Sequence, residues 1–403
     1  MVRFFKDYGI YFKWVLNSKY KWMLILYLLW LYRINFIQEN GSGVGKIIQV
    51  VTLFGMLFYM SRYSEGSVLS IACGRSNMAV KTCLFLYTFG VVSTFWAYLP
   101  QFAFFLAFQN IVLLLMFLWL FEQFITFENK EKAFLLVSIT TMFLEFIGYR
   151  INSEHSLFVH CLPNGSSAAL LISYSIGEIF AKNKMTKQRS QMLKSIFLIS
   201  LFILVTSTSS GANASAVFGV GVACLLSGKI VWAFLAAIPM FILYMNPDIT
   251  ERLIFFIMPG KTKETIANAT GRDLIWGFIR ELIKERPLLG WGFGCVERIA
   301  SDRSGIAAPD AHNNFLGFRG SLGLIGLVIA IIHFVVTYFI ILVHKMKPGY
   351  VGIISAVSCA LLNGYSYGFL SGKACSITVI YLALIVLTYS YSRTYYDYDT
   401  EYE

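Results

Sequence analysis

Charged residues are scarce in this chain. Asp, Glu, Lys and Arg make up 14% of its 403 residues, and 57% of the residues are hydrophobic. A soluble globular domain carries roughly 25% charged residues, so a soluble globular protein is excluded. We expect an all-α polytopic membrane helix bundle, because backbone amides inside a bilayer must be satisfied within their own segment.

Several motifs are missing as well. None of the seven cysteines forms a CxxC pair, and most lie in apolar runs, where cysteine packs as a small hydrophobic side chain. Only Cys161 and Cys295 fall in segments that we place outside the membrane, so a disulfide between them stays open. No HExxH or other group of ligands predicts a metal site, and no cofactor is expected.

The surplus of basic residues does not indicate nucleic acid as a partner. The net charge is +11, but the chain has no nucleic-acid-binding motif, and Lys and Arg normally collect in the cytoplasmic loops of membrane proteins. The first apolar run ends near Arg33 without a small-residue cleavage site. We therefore expect a retained helix there, and no cleavable signal peptide.

Twelve apolar runs are long enough, or nearly so, to cross a bilayer as helices of about 20 residues. The stretch 195–227 can be divided in more than one way, so we predict about twelve transmembrane helices. The runs are 22–37, 47–61, 78–98, 102–122, 132–149, 164–181, 195–210, 211–227, 230–246, 320–344, 350–370 and 375–391.

Short loops rich in Lys and Arg mark the cytoplasmic side of a membrane protein. Basic residues accumulate before the first run, after the sixth and after the tenth, and with twelve helices all three segments fall on one side. We assign that side, with both termini, to the cytoplasm. The residues are Arg3, Lys6, Lys13, Lys19, Lys21, Lys182, Lys184, Lys187, Arg189, Lys194, Lys345 and Lys347.

This topology divides the chain into four parts. Membrane helices 1–9 occupy 1–246, a large extracytoplasmic loop occupies 247–319, membrane helices 10–12 occupy 320–391, and a cytoplasmic tail occupies 392–403. Long loops tolerate positive charge on the outer side. The density of positive charge in this loop favours an anionic binding partner, either lipid headgroups or a substrate. Its basic residues are Arg252, Lys261, Lys263, Arg272, Arg280, Lys284, Arg286, Arg298, Arg303 and Arg319.

Part of the loop has the periodicity of a short amphipathic helix. Thr270 and Asp273 are spaced as an N-cap pair. Apolar residues recur at helical spacing from Leu274 to Ile283, and Pro287 disfavours helix at the residue before it. We expect about four turns, with the apolar face on the bilayer or on the helix bundle.

Two residues of the loop have side chains suited to chemistry. Arg272 opens the amphipathic helix, and a helix N-terminus beside an arginine suits an anion such as phosphate. The alternative is an ion pair with a headgroup or an acidic neighbour. His312 precedes the predicted re-entry of the chain into the membrane, where a histidine can transfer a proton or serve a structural role.

Four motifs follow one another through the loop and into the next helix. They are Gly271-Arg272-x-x-x-Trp276, Pro287-Leu-Leu-Gly290-Trp-Gly292, His312-Asn313-x-x-Leu316 and Gly323-Leu-Ile-Gly326. In order, spacing and position before the last helices they resemble the O-antigen ligase and polymerase family. The earlier Pro163-Asn164 pair is similar to an outer-loop element of many polysaccharide polymerases in this group.

One segment departs from the pattern of that family. Many relatives carry a Ser-Arg-Gly/Thr element in a middle helix, whereas the corresponding stretch here, 208–213, has no arginine. If that arginine holds the donor in relatives, another basic residue must take its place. The alternatives are Arg280, Lys284 and Arg319.

The resemblance implies a glycosyltransferase of the bacterial inner membrane that makes a surface polysaccharide such as O-antigen or capsule. Its donor would be an oligosaccharide linked to undecaprenyl pyrophosphate. Its other partners would be a glycan acceptor, membrane lipids and a chain-length regulator. An acceptor hydroxyl would attack the anomeric carbon and displace the lipid pyrophosphate, without nucleotide sugar, metal or cofactor.

Within that chemistry the resemblance assigns His312 and Arg272 to catalysis. His312 would accept the proton of the acceptor hydroxyl or hold that hydroxyl in place, and Arg272 would clamp phosphate oxygens. Trp276 would stack on sugar or lie at the membrane interface, and Asn313 would orient His312 or cap the following helix. The substrate-binding candidates are Arg280, Lys284, Trp276, Asn313 and Arg319.

Three functions stay open at this point. A polymerase would join lipid-linked repeat units into a long chain, and we favour it because of the Pro163-Asn164 pair and the form of the Gly271-to-Trp276 motif. A ligase would move a finished glycan onto lipid A core. A transporter or flippase would carry the same glycan lipids, but it predicts mirrored halves and a polar bundle centre, and the halves of this sequence do not mirror each other.

Overall fold

The computed structural model describes residues 20–36, 43–64, 68–152, 161–181, 185–232, 272–305, 311–345 and 347–399. Every regular element within these ranges is helical. Short helical turns cover Val68–Ser70, Ile71–Arg75 and Ser93–Phe95. The longer helices are α1 (Lys21–Phe36), α2 (Gly43–Tyr63), α3 (Met78–Val92), α4 (Pro100–Glu122), α5 (Phe127–Asn152), α6 (Leu162–Phe180), α7 (Lys187–Thr206), α8 (Ser210–Leu226), α9 (Arg272–Glu285), α10 (Val296–Ser304), α11 (Asn314–Val343), α12 (Tyr350–Ser366) and α13 (Ser376–Asp399).

Among the described helices, six are long and apolar enough to cross a membrane. The prediction of an all-α architecture is confirmed for the described residues, and these six helices are candidate membrane spans. The count of about twelve spans stays a prediction, and most of the run at 230–246 lies outside the described residues. The six segments are Val44–Tyr63, Met78–Phe95, Pro100–Glu122, Phe127–Ile151, Lys187–Thr206 and Asn314–Val343.

The apolar stretch 195–227 is divided by a group of hydroxyl side chains. α7 ends at Thr206 and α8 begins at Ser210. The Ser207 hydroxyl donates to the Leu204 carbonyl at 2.7 Å, and the Ser209 hydroxyl accepts from the Ala212 amide at 3.4 Å. Serine side chains that bond to nearby backbone favour caps and turns over helix interior, which explains the break.

Helix α6 lies at the centre of one packed group, in contact with α7, α8 and α12. Gly177 of α6 lies directly against the backbone of Gly352 in α12, and Gly165 lies against the Ser207 side chain. Small residues let helix backbones approach closely, which matters in a bilayer because lipid tails are as apolar as the helices themselves.

The described part of the loop packs against one end of the bundle, which we call the loop end. α9 spans 14 residues and ends at Glu285, as the position of Pro287 predicts. Ile279 and Leu282 are buried, and α9 contacts α10 and α11. Its apolar face therefore lies partly on the bundle. The predicted N-cap residue Thr270 lies outside the described residues.

A second loop helix, α10, is absent from the sequence prediction. It spans 9 residues, only a few of them apolar, and is capped at its C-terminus by Gly305 with φ 70°. Glycine adopts this left-handed conformation freely, which makes it a common helix terminator. The helix is defined by burial of Val296, Ile299 and Ala300 beneath the loop, a tertiary effect that local periodicity does not reveal.

Helix α11 begins inside the predicted loop 247–319, at Asn314 rather than at 320. Its first turns carry polar residues, so the apolar run starts later than the helix does. Gly323 interrupts the helix with φ 69° and ψ −161°. The chain therefore bends between the loop end and the long apolar segment that follows.

The opposite end of the bundle contains a buried ionic cluster. Arg189 donates to Glu131 at 2.6 and 2.7 Å and to Glu178 at 2.5 Å. The Tyr174 hydroxyl donates to Glu131 at 2.7 Å, and the Gly352 amide donates to Glu178 at 2.9 Å. The cluster joins α5, α6, α7 and α12.

Candidate active site

The segment Ala311–Asn314, which we call the His312 segment, lies where the loop meets α11. His312 is half-buried and has φ 49°. Only one other described non-glycine residue, Thr208, has a positive φ, and it also lies at the loop end. Left-handed backbone costs roughly 1–2 kcal/mol outside glycine. Strained residues cluster at functional sites, so this outlier keeps His312 as a candidate for a functional role.

Trp276 connects α9 to the His312 segment. Its indole N–H donates to the Ala311 carbonyl at 3.0 Å, across 35 residues of chain. Its ring makes an edge contact with Tyr365 at the end of α12, with a centroid distance of 6.2 Å. The predicted candidate Trp276 therefore lies next to His312, between the loop and the helix bundle.

Arg272 lies near Trp276 on α9 because the two residues are one helical turn apart. It is the first residue of α9, four positions before Trp276, and residues four apart lie one above the other on a helix, with Cβ atoms about 5–6 Å apart. Arg272 is half-buried. The structure thus brings Trp276 next to the His312 segment from a distant part of the loop, and Arg272 lies one helical turn before Trp276 on α9.

Two neighbouring asparagines at the start of α11 have different partners. The Asn313 side-chain oxygen accepts from the Leu316 amide at 3.0 Å, which is an N-cap contact and one of the two predicted roles of this residue. The Asn314 side-chain oxygen accepts from the Leu370 amide at 2.7 Å, 56 residues away. Asn314 is completely buried, and no sequence signal separated it from Asn313.

The two glycine motifs bind each other through their backbones. Trp291 N–H donates to the Gly320 carbonyl at 3.2 Å, and Gly292 N–H donates to the Ser321 carbonyl at 2.7 Å. Gly290 has φ 66° and lies against the backbone of Gly320 and Gly323. A side chain at Gly290 would have no room. The close contact of Gly290 with Gly320 and Gly323 therefore holds the loop onto the start of α11.

Three of the basic residues in the described part of the loop lie over aromatic rings. Arg286 and Arg303 lie over the ring of Trp291 at 4.1 and 5.0 Å, and Arg298 lies over Phe102 at 5.4 Å. Such cation–π contacts contribute about 0.5–1 kcal/mol each at exposed sites. These three positive charges of the loop therefore have structural contacts.

Three basic candidates remain, and they differ in how far their side chains are exposed. Arg280 is exposed, and Lys284 pairs with Glu281 at 2.7 Å with both side chains exposed. Arg319 is half-buried on α11, and its Nη1 atom is buried without a hydrogen-bond partner among the described residues. Of these three, Arg319 alone has a donor directed into the protein.

A second polar cluster lies at the loop end, beside the 208–213 stretch that lacks arginine. The Arg150 guanidinium donates to Asn164 at 3.2 Å and to Thr206 at 3.0 Å, and it stacks on Phe146 at 3.8 Å. Asn164 belongs to the predicted Pro163-Asn164 element. Arg150 was not among the predicted site residues, although a lone arginine at the end of an apolar run is a functional candidate by default.

The two thiols left open for a disulfide are both free and buried. Cys295 lies at the loop end with its sulfur near the Leu99 carbonyl at 3.7 Å. Burial raises the pKa of the Cys295 thiol to about 11. It is therefore a neutral packing group at physiological pH. No group of three potential metal ligands lies within the described ranges.

Residues 195–331 match the family described as O-Antigen ligase. The resemblance to the O-antigen ligase and polymerase family is confirmed. The matched range contains the predicted candidates Arg272, Trp276 and His312 together with both glycine motifs. Arg150 and Asn164 lie outside it.

One similar protein comes from Rickettsia conorii and carries the name of a candidate polysaccharide ligase. It is 25% identical over 226 residues, which cover 50% of this chain and 54% of the relative. The chain therefore spans about half the length of this relative. Together with the apolar helices, the comparisons support a multi-pass membrane protein of the O-antigen ligase or polymerase type.

Proposed function

We propose that this protein is a membrane glycosyltransferase that polymerises lipid-linked oligosaccharide repeat units into a surface polysaccharide. The observation that carries the proposal is the Trp276–Ala311 hydrogen bond of 3.0 Å. It joins the helix that begins with Arg272 to the segment that contains His312. A site at this junction would combine Arg272, a cation suited to phosphate, with His312, a group suited to proton transfer.

In this proposal the donor is an oligosaccharide on undecaprenyl pyrophosphate in the cytoplasmic membrane of a bacterium. An acceptor hydroxyl oxygen forms a bond to the anomeric carbon, and the bond from that carbon to the pyrophosphate oxygen breaks. The lipid pyrophosphate leaves with the bonding electron pair. His312 takes the hydroxyl proton, a contribution that general bases make at about 10²–10⁴-fold in rate.

Arg272 stabilises the leaving group. The pyrophosphate gains negative charge as the glycosidic bond breaks, and a guanidinium binds phosphate oxygens with two parallel hydrogen bonds. Such a contact strengthens in the transition state and therefore accelerates the reaction. Arg319, with its inward Nη1 donor, is the basic residue that we assign to the place of the missing arginine.

A ligase is the second candidate. The family description and the name of the Rickettsia conorii relative both use the word ligase. The chemistry of the site is the same for both enzymes, and only the acceptor differs. In a ligase the acceptor is lipid A core, and in a polymerase it is another lipid-linked glycan.

A chain-extension assay tests the proposal. Purified protein in vesicles receives the lipid-linked repeat unit of its host, without nucleotide sugar, metal or other acceptor, and products are resolved by length. We expect a ladder of lengthening chains that Arg272→Ala and His312→Ala abolish. Activity only after addition of lipid A core assigns the ligase instead. Movement of glycan lipid between leaflets without either product contradicts an enzyme.

A further inference from the structure

Asn314 is oriented by a single fixed contact. Its Oδ1 atom accepts from the Leu370 backbone amide at 2.7 Å, and a backbone N–H can only donate. The amide therefore cannot be flipped without losing this bond. Its Nδ2 group must point the other way.

The Nδ2 group of Asn314 has no hydrogen-bond partner among the described residues, although the residue is completely buried. The great majority of buried polar groups are hydrogen-bonded, and an unsatisfied donor lowers stability. Asn314 is also not the helix cap, because the Asn313 side chain caps α11. The orphaned donor requires another explanation.

The position of this donor points to a ligand. Asn314 lies two residues after His312. Its Nδ2 approaches Gly364 of α12 so closely that a side chain at Gly364 would collide with it. The neighbouring Asn363 has the same pattern: Oδ1 accepts from the Ser166 hydroxyl at 3.0 Å, and Nδ2 is buried without a partner in the described part of the chain.

We propose that the Asn314 side-chain amide binds a sugar oxygen of the glycan substrate beside His312. This inference rests on the proposed function and names a further residue of the same site. A neutral amide donor suits a neutral hydroxyl or ring oxygen, whereas phosphate oxygens favour the guanidinium of Arg272. Asn314 thereby holds the glycan next to the imidazole, while Leu370 holds Asn314.

The test uses a substitution that keeps the accepting oxygen and replaces the donating amide nitrogen by a carboxyl oxygen, and the control carries the same chemical change. Asn314→Asp keeps an oxygen for the Leu370 amide and loses the Nδ2 group. Asn77→Asp is the matched control, because Asn77 also accepts from a backbone amide, that of Val80 at 3.1 Å, and donates from Nδ2 to Thr388 at 3.0 Å. Asn77 precedes α3, whose far end contacts the loop through Ser93, roughly 22 Å away along the helix at 1.5 Å per residue.

Two probes separate sugar from phosphate. One is the lipid-free oligosaccharide released by mild acid from the host's lipid-linked intermediate, and the other is farnesyl pyrophosphate, which has no sugar. Binding of each is measured by thermal shift on the full-length protein in detergent. We expect Asn314→Asp to bind the oligosaccharide about 10-fold more weakly, equivalent to about 1.4 kcal/mol. Farnesyl pyrophosphate binding and the Asn77→Asp control should match wild type.

Unchanged oligosaccharide binding in Asn314→Asp overturns the inference, and so does a loss confined to farnesyl pyrophosphate. If Asn314→Asp does not fold, Gly364→Ala decides by the same two probes, because its methyl group would collide with Nδ2 and shift the Asn314 amide. The binding test does not need turnover. A protein without chain extension whose oligosaccharide binding depends on Asn314 disproves the proposed function and retains this site.

Discussion

At the scale of single residues, His312 combines an unfavourable backbone conformation with a side chain suited to proton transfer. Its φ of 49° lies in a region that asparagine visits routinely and that β-branched residues avoid. The backbone effect and the chemical effect of a substitution can therefore be separated at this position.

The substitutions His312→Asn and His312→Val should both lower turnover, but they should differ in the free energy of unfolding. His312→Asn should keep the free energy of unfolding within about 0.5 kcal/mol of wild type, because asparagine tolerates this φ. His312→Val should lose about 1–2 kcal/mol. Both should lower turnover by about 10²–10⁴-fold through loss of the base. Thermal unfolding in detergent and the chain-extension assay provide the measurements. An active His312→Asn enzyme would rule out His312 as the general base.

At the scale of elements, the contact between the two glycine motifs holds the loop on the bundle. Pro287 and Leu288 accept backbone hydrogen bonds from Leu324 and Ile325 at 2.9 and 3.3 Å. This pairing continues the one made by Trp291 and Gly292. Loop and helix therefore associate through backbone groups, and such an association depends on the absence of side chains at the crossing point.

Gly290→Ala should lower stability by about 2–4 kcal/mol, because it adds the cost of a left-handed alanine to a backbone collision. Gly277→Ala is the control, since Gly277 lies within α9 with open space around it. Alanine there should stabilise by about 0.5–1 kcal/mol through its higher helix propensity. Thermal unfolding and limited proteolysis of the loop measure both variants, and equal behaviour of the two would show that the crossing is not tight.

At the scale of the whole molecule, the Arg189 cluster joins four helices at the end opposite the loop. The side chains of Glu131 and Glu178 are 0% and 1% exposed. Removing one member of a buried ionic cluster leaves uncompensated charge, which costs about 3–5 kcal/mol. The cluster therefore controls how α5, α6, α7 and α12 associate.

Arg189→Met should lower the free energy of unfolding by about 3–5 kcal/mol. Additional replacement of Glu131 and Glu178 by glutamine should restore part of the loss. Lys132→Met is the comparison, because Lys132 pairs with the half-exposed Glu128 at 2.8 Å, and such pairs contribute about 0–1 kcal/mol. Denaturation in detergent micelles distinguishes them, and a mild effect of Arg189→Met would mean that water reaches the cluster.

The predicted orientation can be tested on intact cells. Native Cys73 and an introduced Asp302→Cys are both exposed positions, and the predicted topology places them on opposite sides of the membrane. A membrane-impermeant maleimide should label Asp302→Cys on intact cells, and Cys73 only after permeabilisation. Wild type provides the background. Labelling of Cys73 on intact cells would show that the predicted orientation is wrong.

Some of this protein follows from the sequence alone, because the relevant physics is local. A helix in a bilayer satisfies its own hydrogen bonds, so the apolar runs predict most of the described helices without knowledge of their neighbours. Pro287 ends α9 for an equally local reason. The order of the motifs was sufficient to recognise the family.

Only the tertiary structure decided which residues meet. Trp276 and Ala311 are 35 residues apart, and Asn314 and Leu370 are 56 apart. Periodicity and composition do not encode such long-range contacts, and for this reason Asn313 was chosen from the sequence and Asn314 was not. The density of basic residues in the loop left anionic lipid headgroups and an anionic substrate as alternatives. Packing shows in addition that Arg286, Arg298 and Arg303 lie over aromatic rings. The sequence gives the number of charged side chains, but only the fold determines which group each of them contacts.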